Sequence, residues 1–120
     1  MLKSVKLAPI FSIIFLSDNG PIEVPKHSDV RRINASASCI AVPTFPEADG
    51  ETQITLSNSA GARADVPAFD GLLETPNKFL AVATGDDVQL LGAEVASVHT
   101  RVRIWTNHPT EPDMIDIVLD

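Results

Sequence analysis

The stretch Lys6–Gly20 reads KLAPIFSIIFLSDNG, and two readings of it lead to different proteins. Lys3 and Lys6 stand before a mostly apolar run, which is how a secretory leader begins. The run Leu7–Leu16 has about half the length that a membrane-spanning helix requires. A leader also needs small residues ahead of its cleavage point. Here the run ends in Ser17-Asp18-Asn19-Gly20-Pro21, with no small-x-small pair and a proline where a mature chain would begin. Read as a strand, the same residues place Phe11, Ile13 and Phe15 on one face and Ile10, Ile14 and Leu16 on the other. Both faces are apolar, as in a strand covered on two sides. Asp18-Asn19-Gly20 then reads as a turn, because Asn and Gly accept positive φ, and Ile22 and Val24 as a return strand. The strand reading accounts for more. It puts the segment in the fold and the chain in the cytoplasm; a leader would send it to the periplasm or outside the cell.

Outward from this segment the pattern stays β. Nine prolines and six glycines are spread along 120 residues, and no stretch holds a 3.6-residue period over three turns. Thr52–Ser57, Phe79–Thr84 and Met114–Leu119 read as strands, with Ile54 and Leu56, and then Ile115, Ile117 and Leu119, directed to one face. Ala35–Val42 (ASASCIAV) reads as one strand with small residues at Ala35, Ala37, Cys39 and Ala41, a face suited to close packing against a sheet or a second copy of the chain. Asp70-Gly71 and Gly85-Asp86-Asp87 read as turns, and Val30–Asn34 as a short helical turn. The sum is an all-β chain: one domain over residues 1–120, a single antiparallel β-sandwich of about eight or nine short strands with at most one helical turn.

Charge narrows the partners. Lys plus Arg number 9 against 16 Asp plus Glu, a net of −7, where a nucleic-acid binder carries the opposite sign. Residues 61–120 hold 4 basic and 10 acidic groups, so the excess sits in the second half. Such a half attracts a basic protein; its plainer use is solubility. With one cysteine no internal disulfide forms, which suits a reducing compartment.

Motifs for catalysis or metal binding are missing. His27, His99 and His108 are too scattered for a local zinc site, and no nucleophile elbow or phosphate loop occurs. Cofactor and metal are expected to be absent, and the chain is not expected to be an enzyme. Asp86 and Asp87 form a carboxylate pair whose ordinary explanation is turn chemistry. The richest stretch is Val98–Asn107 (VHTRVRIWTN). Alternation puts Val98, Val102 and Ile104 on one face, and His99, Arg101, Arg103, Trp105 and Asn107 on the other. Trp and Arg together are common at binding hot spots, and Arg stems packed over an indole are also common on outer sheet faces. The candidate binding residues are therefore His99, Arg101, Arg103 and Trp105, with Asp86 and Asp87.

Taken in order, the strands resemble the competence protein J family, small β-sandwich proteins that inhibit a DNA-entry nuclease. The pieces that carry the resemblance are SDNGP (Ser17–Pro21), ASASCIAV (Ala35–Val42), TQITLSNSAG (Thr52–Gly61), ADVPAFDGLLET (Ala64–Thr75), RIWT (Arg103–Thr106) and IDIVLD (Ile115–Asp120). Between Pro25 and Asn34 the chain lacks the Trp-containing segment and longer helical piece of that family. The resemblance implies a non-enzymatic acidic binding protein, an inhibitor or immunity-type partner of a nuclease or other basic protein, without direct nucleic-acid or membrane contact. Asp65, Asp70, Glu74, Asp86, Asp87 and Glu94 are the acidic pool for such contacts. The alternative is a small-ligand or carbohydrate-binding module built on Trp105. A homodimer through Ala35–Ala41 is compatible with either.

Overall fold

In strand β2 (Ile13–Ser17) every second side chain turns inward: Ile14 and Leu16 are fully buried, while Ile13 and Phe15 are half-buried. The same period of two runs through β5 (Thr52–Ser57), which buries Thr52, Ile54 and Leu56, and through β9 (His99–Thr106), which buries Thr100, Val102 and Ile104. The computed structural model describes residues 1–20, 22–25, 31–58 and 65–120. These form ten strands and a single 3₁₀ turn at Ile10–Ser12, one or two strands more than the eight or nine expected from sequence. The remaining strands are β1 (Leu2–Leu7), β3 (Asn34–Ala35), β4 (Cys39–Pro43), β6 (Phe69–Glu74), β7 (Phe79–Thr84), β8 (Gln89–Glu94) and β10 (Met114–Leu119).

Two five-stranded sheets result, in the orders β1-β5-β10-β9-β6 and β3-β4-β2-β7-β8. Both feed one apolar core. The first supplies Ile54, Leu56, Leu73, Val102, Ile104, Ile115 and Ile117, and the second Ile14, Leu16, Ile40, Val42, Leu80 and Val82. All pairs are antiparallel except one: β10 runs parallel to β5, with Ile115 opposite Ile54 and Ile117 opposite Leu56. The first sheet is thus mixed, which corrects the purely antiparallel expectation. The parallel pair arises because β10 returns into the middle of the sheet and not to its edge.

At several positions tertiary contacts outweigh local turn chemistry. Asp18-Asn19-Gly20 does not close a hairpin, and Ile22–Val24 is irregular. The Asp18 carboxylate instead accepts the Asn77 N–H at 2.8 Å, tying the end of β2 to the loop before β7, and β2 pairs with β4 and β7. ASASCIAV is not one strand. It bends at Ser36–Ser38, where Ser36 Oγ accepts the Cys39 N–H at 3.1 Å, so β3 folds back on β4. Asp70-Gly71 is no turn but lies within β6; a Cβ on Gly71 would stand 2.9 Å from Phe69 Cζ, so the ring occupies the space a side chain would need. Of the helical turn expected at Val30–Asn34, Val30 lies outside the described residues, and Asn34 already belongs to β3. His27 lies outside them too. The lysines read as a preamble belong to β1, an edge strand whose Lys3 reaches across to the Gly92 carbonyl of β8 in the other sheet. Charged side chains are a common guard on exposed edges.

Leu16→Ala should destabilise the chain by about 3 kcal/mol, as a cavity at a site that cannot collapse. Leu72, 67% exposed on β6, should tolerate alanine within about 0.5 kcal/mol. Urea unfolding of the two variants checks both; similar losses would place the core wrongly.

Candidate protein-binding surface

Strand β9 delivers the face its alternation implied. His99 and Arg101 are exposed, Arg103 is half-buried, and all lie on the outer side of the first sheet. Register then supplies their neighbours: Asp70 stands opposite Arg103, Leu72 opposite Arg101 and Glu74 opposite His99. Arg101 reaches diagonally to Asp70 with a two-pronged bond, Nε to Oδ1 at 2.9 Å and Nη2 to Oδ2 at 2.7 Å. Arg103 Nη2 meets Asp120 Oδ2 at 2.7 Å, and Arg101 Nη1 lies 3.9 Å from the same oxygen. The arginines are therefore engaged by carboxylates of their own chain.

Trp105 is placed differently from the exposed platform a sugar would need. It is 4% exposed, its Nε1–H donates to the Asp65 carbonyl at 3.0 Å, and the Arg103 guanidinium carbon lies 5.4 Å from the ring centroid. The indole is a floor under Arg103. Asp120 joins the two arginines, and nothing in the sequence marks it, because a terminal residue carries no local signal for a partner on another strand.

Asp86 and Asp87 lie elsewhere, in the β7–β8 turn of the second sheet. Asp87 adopts φ 64° there, and the Thr84 hydroxyl donates to Asp86. The structure does not bring this pair to the His99–Trp105 row. It does bring together carboxylates that no motif flagged. Asp49 and Glu51 from the β4–β5 loop share a depression with Asp113, Lys6 and Phe45. Two backbone bonds hold these loops side by side: Phe45 N–H to the Pro112 carbonyl and Gln53 N–H to the Asp113 carbonyl, both 2.8 Å. Their adjacency depends on the parallel β5–β10 pair.

A cleft of about 580 Å³ opens where β1 and β8 approach, lined by Lys3, Asn58, Ala93, Val95, Thr100 and Leu119 among others. Cys39 is fully buried, and that burial pushes its thiol up to about 11, so it is protonated at neutral pH. Among the described residues no group of three or more His, Cys, Asp or Glu side chains is placed to hold a metal ion, and no helix is long and apolar enough to cross a membrane.

No protein-family model matches the chain, and no curated protein matches its sequence. Among solved structures, the fold corresponds to that of ComJ from Bacillus subtilis, an inhibitor of the DNA degrading activity of NucA. The TM-score is 0.66 over 98% of each chain, at 13% sequence identity. A second structure, crocagin biosynthetic gene J, aligns over 98% of this chain and 94% of its own, at 13% identity and a TM-score of 0.48. The correspondence with ComJ agrees with the resemblance read from the strand pattern.

Hydrogen bonds from Arg101 hold the Asp70 carboxyl below its ordinary range, against a smaller opposing effect of desolvation. A depressed carboxylate stabilises the fold above its unfolded value, near pH 4, and that contribution fades as pH falls. The stability gap between the wild type and Asp70→Asn should thus be constant above about pH 5 and shrink below about pH 4; urea melts giving the same gap at both ends would remove the ion pair from the account. Ellman's reagent should leave Cys39 unmodified in the native chain and react with it after denaturation, whereas rapid native labelling would contradict its burial.

Proposed function

We propose that this chain is a non-enzymatic binding protein that inhibits a nuclease by occupying its basic, DNA-binding surface. The observation that carries the reading is the fold correspondence with ComJ along the whole of both chains. Fold alone does not transfer function, so the chemistry has to agree with it. A net charge of −7 suits a partner built to bind DNA. The carboxylates of Asp49, Glu51 and Asp113, gathered by two adjoining loops, and the Asp86-Asp87 turn supply exposed negative charge. The two-sheet arrangement is read as a single sandwich domain, acting in the cytoplasm beside its target. The carbohydrate reading loses its support, because Trp105 is covered and offers no face for stacking.

Purified chain titrated into a DNA-degradation assay with NucA should abolish cleavage near equimolar ratio. The apparent affinity should fall by about tenfold or more as salt rises from about 50 mM to about 500 mM. Undiminished cleavage at large molar excess and low salt would refute the reading.

A further inference from the structure

The turn that interrupts the Leu7–Leu16 run has two successive non-glycine residues in the left-handed region, Phe11 at φ 63° and Ser12 at φ 55°. That region is unfavourable for a bulky side chain, and glycine adopts it freely. The turn is fastened through its backbone and Ser12. Ser12 N–H donates to the Pro9 carbonyl at 3.0 Å, the Ser12 carbonyl accepts the Thr44 N–H at 3.0 Å, and Ser12 Oγ accepts the Glu47 N–H at 2.9 Å. None of these bonds uses the Phe11 side chain, which is 67% exposed. The fold needs the turn, and none of the hydrogen bonds that hold it needs a phenylalanine at the tip. A strained aromatic residue at an exposed tip points to a role outside the fold.

The surroundings say what that role is. The Phe11 ring lies against Gly85, where an added Cβ would stand 2.8 Å from its Cδ2. Gly85 and Asp87 in turn line a shallow cleft with Phe15, Ile22 and Val24 on the outer side of the second sheet. Ile22 and Val24 are exposed there, and Phe15 is half-buried, opposite Ala41 on one neighbour and Ala83 on the other. Carboxylates adjoin this apolar patch: Glu47, whose Oε1 accepts the Phe11 N–H at 3.3 Å, and Asp87, which lines the cleft next to Asp86 in the β7–β8 turn.

We propose that this patch is the docking surface for a basic protein, with Phe11 as its aromatic anchor entering an apolar pocket and Glu47, Asp86 and Asp87 meeting lysines or arginines around it. The proposal rests on the nuclease-inhibitor reading and assigns that activity to one face. An exposed aromatic centre with a polar rim is the anatomy of a binding hot spot. The charge selects the occupant. An anionic rim attracts a cationic surface and repels a second copy of a chain that carries −7.

Phe11→Gly removes the ring and keeps the turn, so it separates binding from folding. It should melt at or above the wild-type temperature and inhibit NucA at least about tenfold less well, while Leu72→Ala, an exposed apolar change on the other sheet, inhibits like the wild type. Wild-type inhibition by Phe11→Gly would overturn this surface and leave the inhibitor reading standing. Absence of inhibition by the wild type itself would overturn both. A clearly lower melting temperature for Phe11→Gly would assign the ring to the fold and remove the argument for the anchor. Sedimentation that finds a wild-type dimer dissolved by Phe11→Gly would make the occupant a second copy, contrary to the proposal.

Discussion

The last strand holds the first sheet together. Strand β10 lies between β5 and β9, placing Ile115 and Ile117 between Ile54 and Leu56 on one side and Thr106 and Ile104 on the other. Without it that sheet divides into two pairs, β1-β5 and β9-β6, and two-stranded ribbons are marginal in water. Its parallel contact with β5 also decides what surrounds the core. The loop entering β5 and the loop entering β10 must emerge at the same end, so Asp49, Glu51 and Asp113 become neighbours although they are far apart in sequence.

The two outer faces differ in chemistry. On the first sheet Arg101, Arg103, Asp70 and Asp120 pair with one another, and Trp105 packs under Arg103. Exposed ion pairs of this kind contribute little stability, and their effect is to commit these four groups to one another. On the second sheet Phe11, Phe15, Ile22 and Val24 leave apolar surface open beside carboxylates. A face that has already paired its groups is a poor recruit for a partner, because binding there must first break those bonds. The open face has no such barrier.

A fold shared with ComJ at 13% identity is what patterning permits. Cores accept many combinations of residues when volume and alternation are kept, so the inward set of Ile, Leu and Val can be rewritten without changing the topology. Outer positions are freer still. At this identity the correspondence is one of architecture, and the outer residues of the two chains are free to differ.

Alternation is a local property, and what it controls was legible in the chain by itself. It determined the all-β character, the inward faces of β5, β9 and β10, and the side of β9 that carries His99, Arg101, Arg103 and Trp105, whereas the run through β2 read as apolar on both faces and is broken by the Ile10–Ser12 turn. The Asp18-Asn19-Gly20 and Asp70-Gly71 signals misled, because a carboxylate bond to Asn77 and a phenylalanine ring over Gly71 outweighed turn propensity. Only the tertiary structure decided which strands are neighbours, that β10 runs parallel to β5, that Trp105 is covered, and that Phe11 sits strained at an open tip. These features depend on contacts between residues far apart in the chain, and periodicity within a strand carries no information about its neighbours.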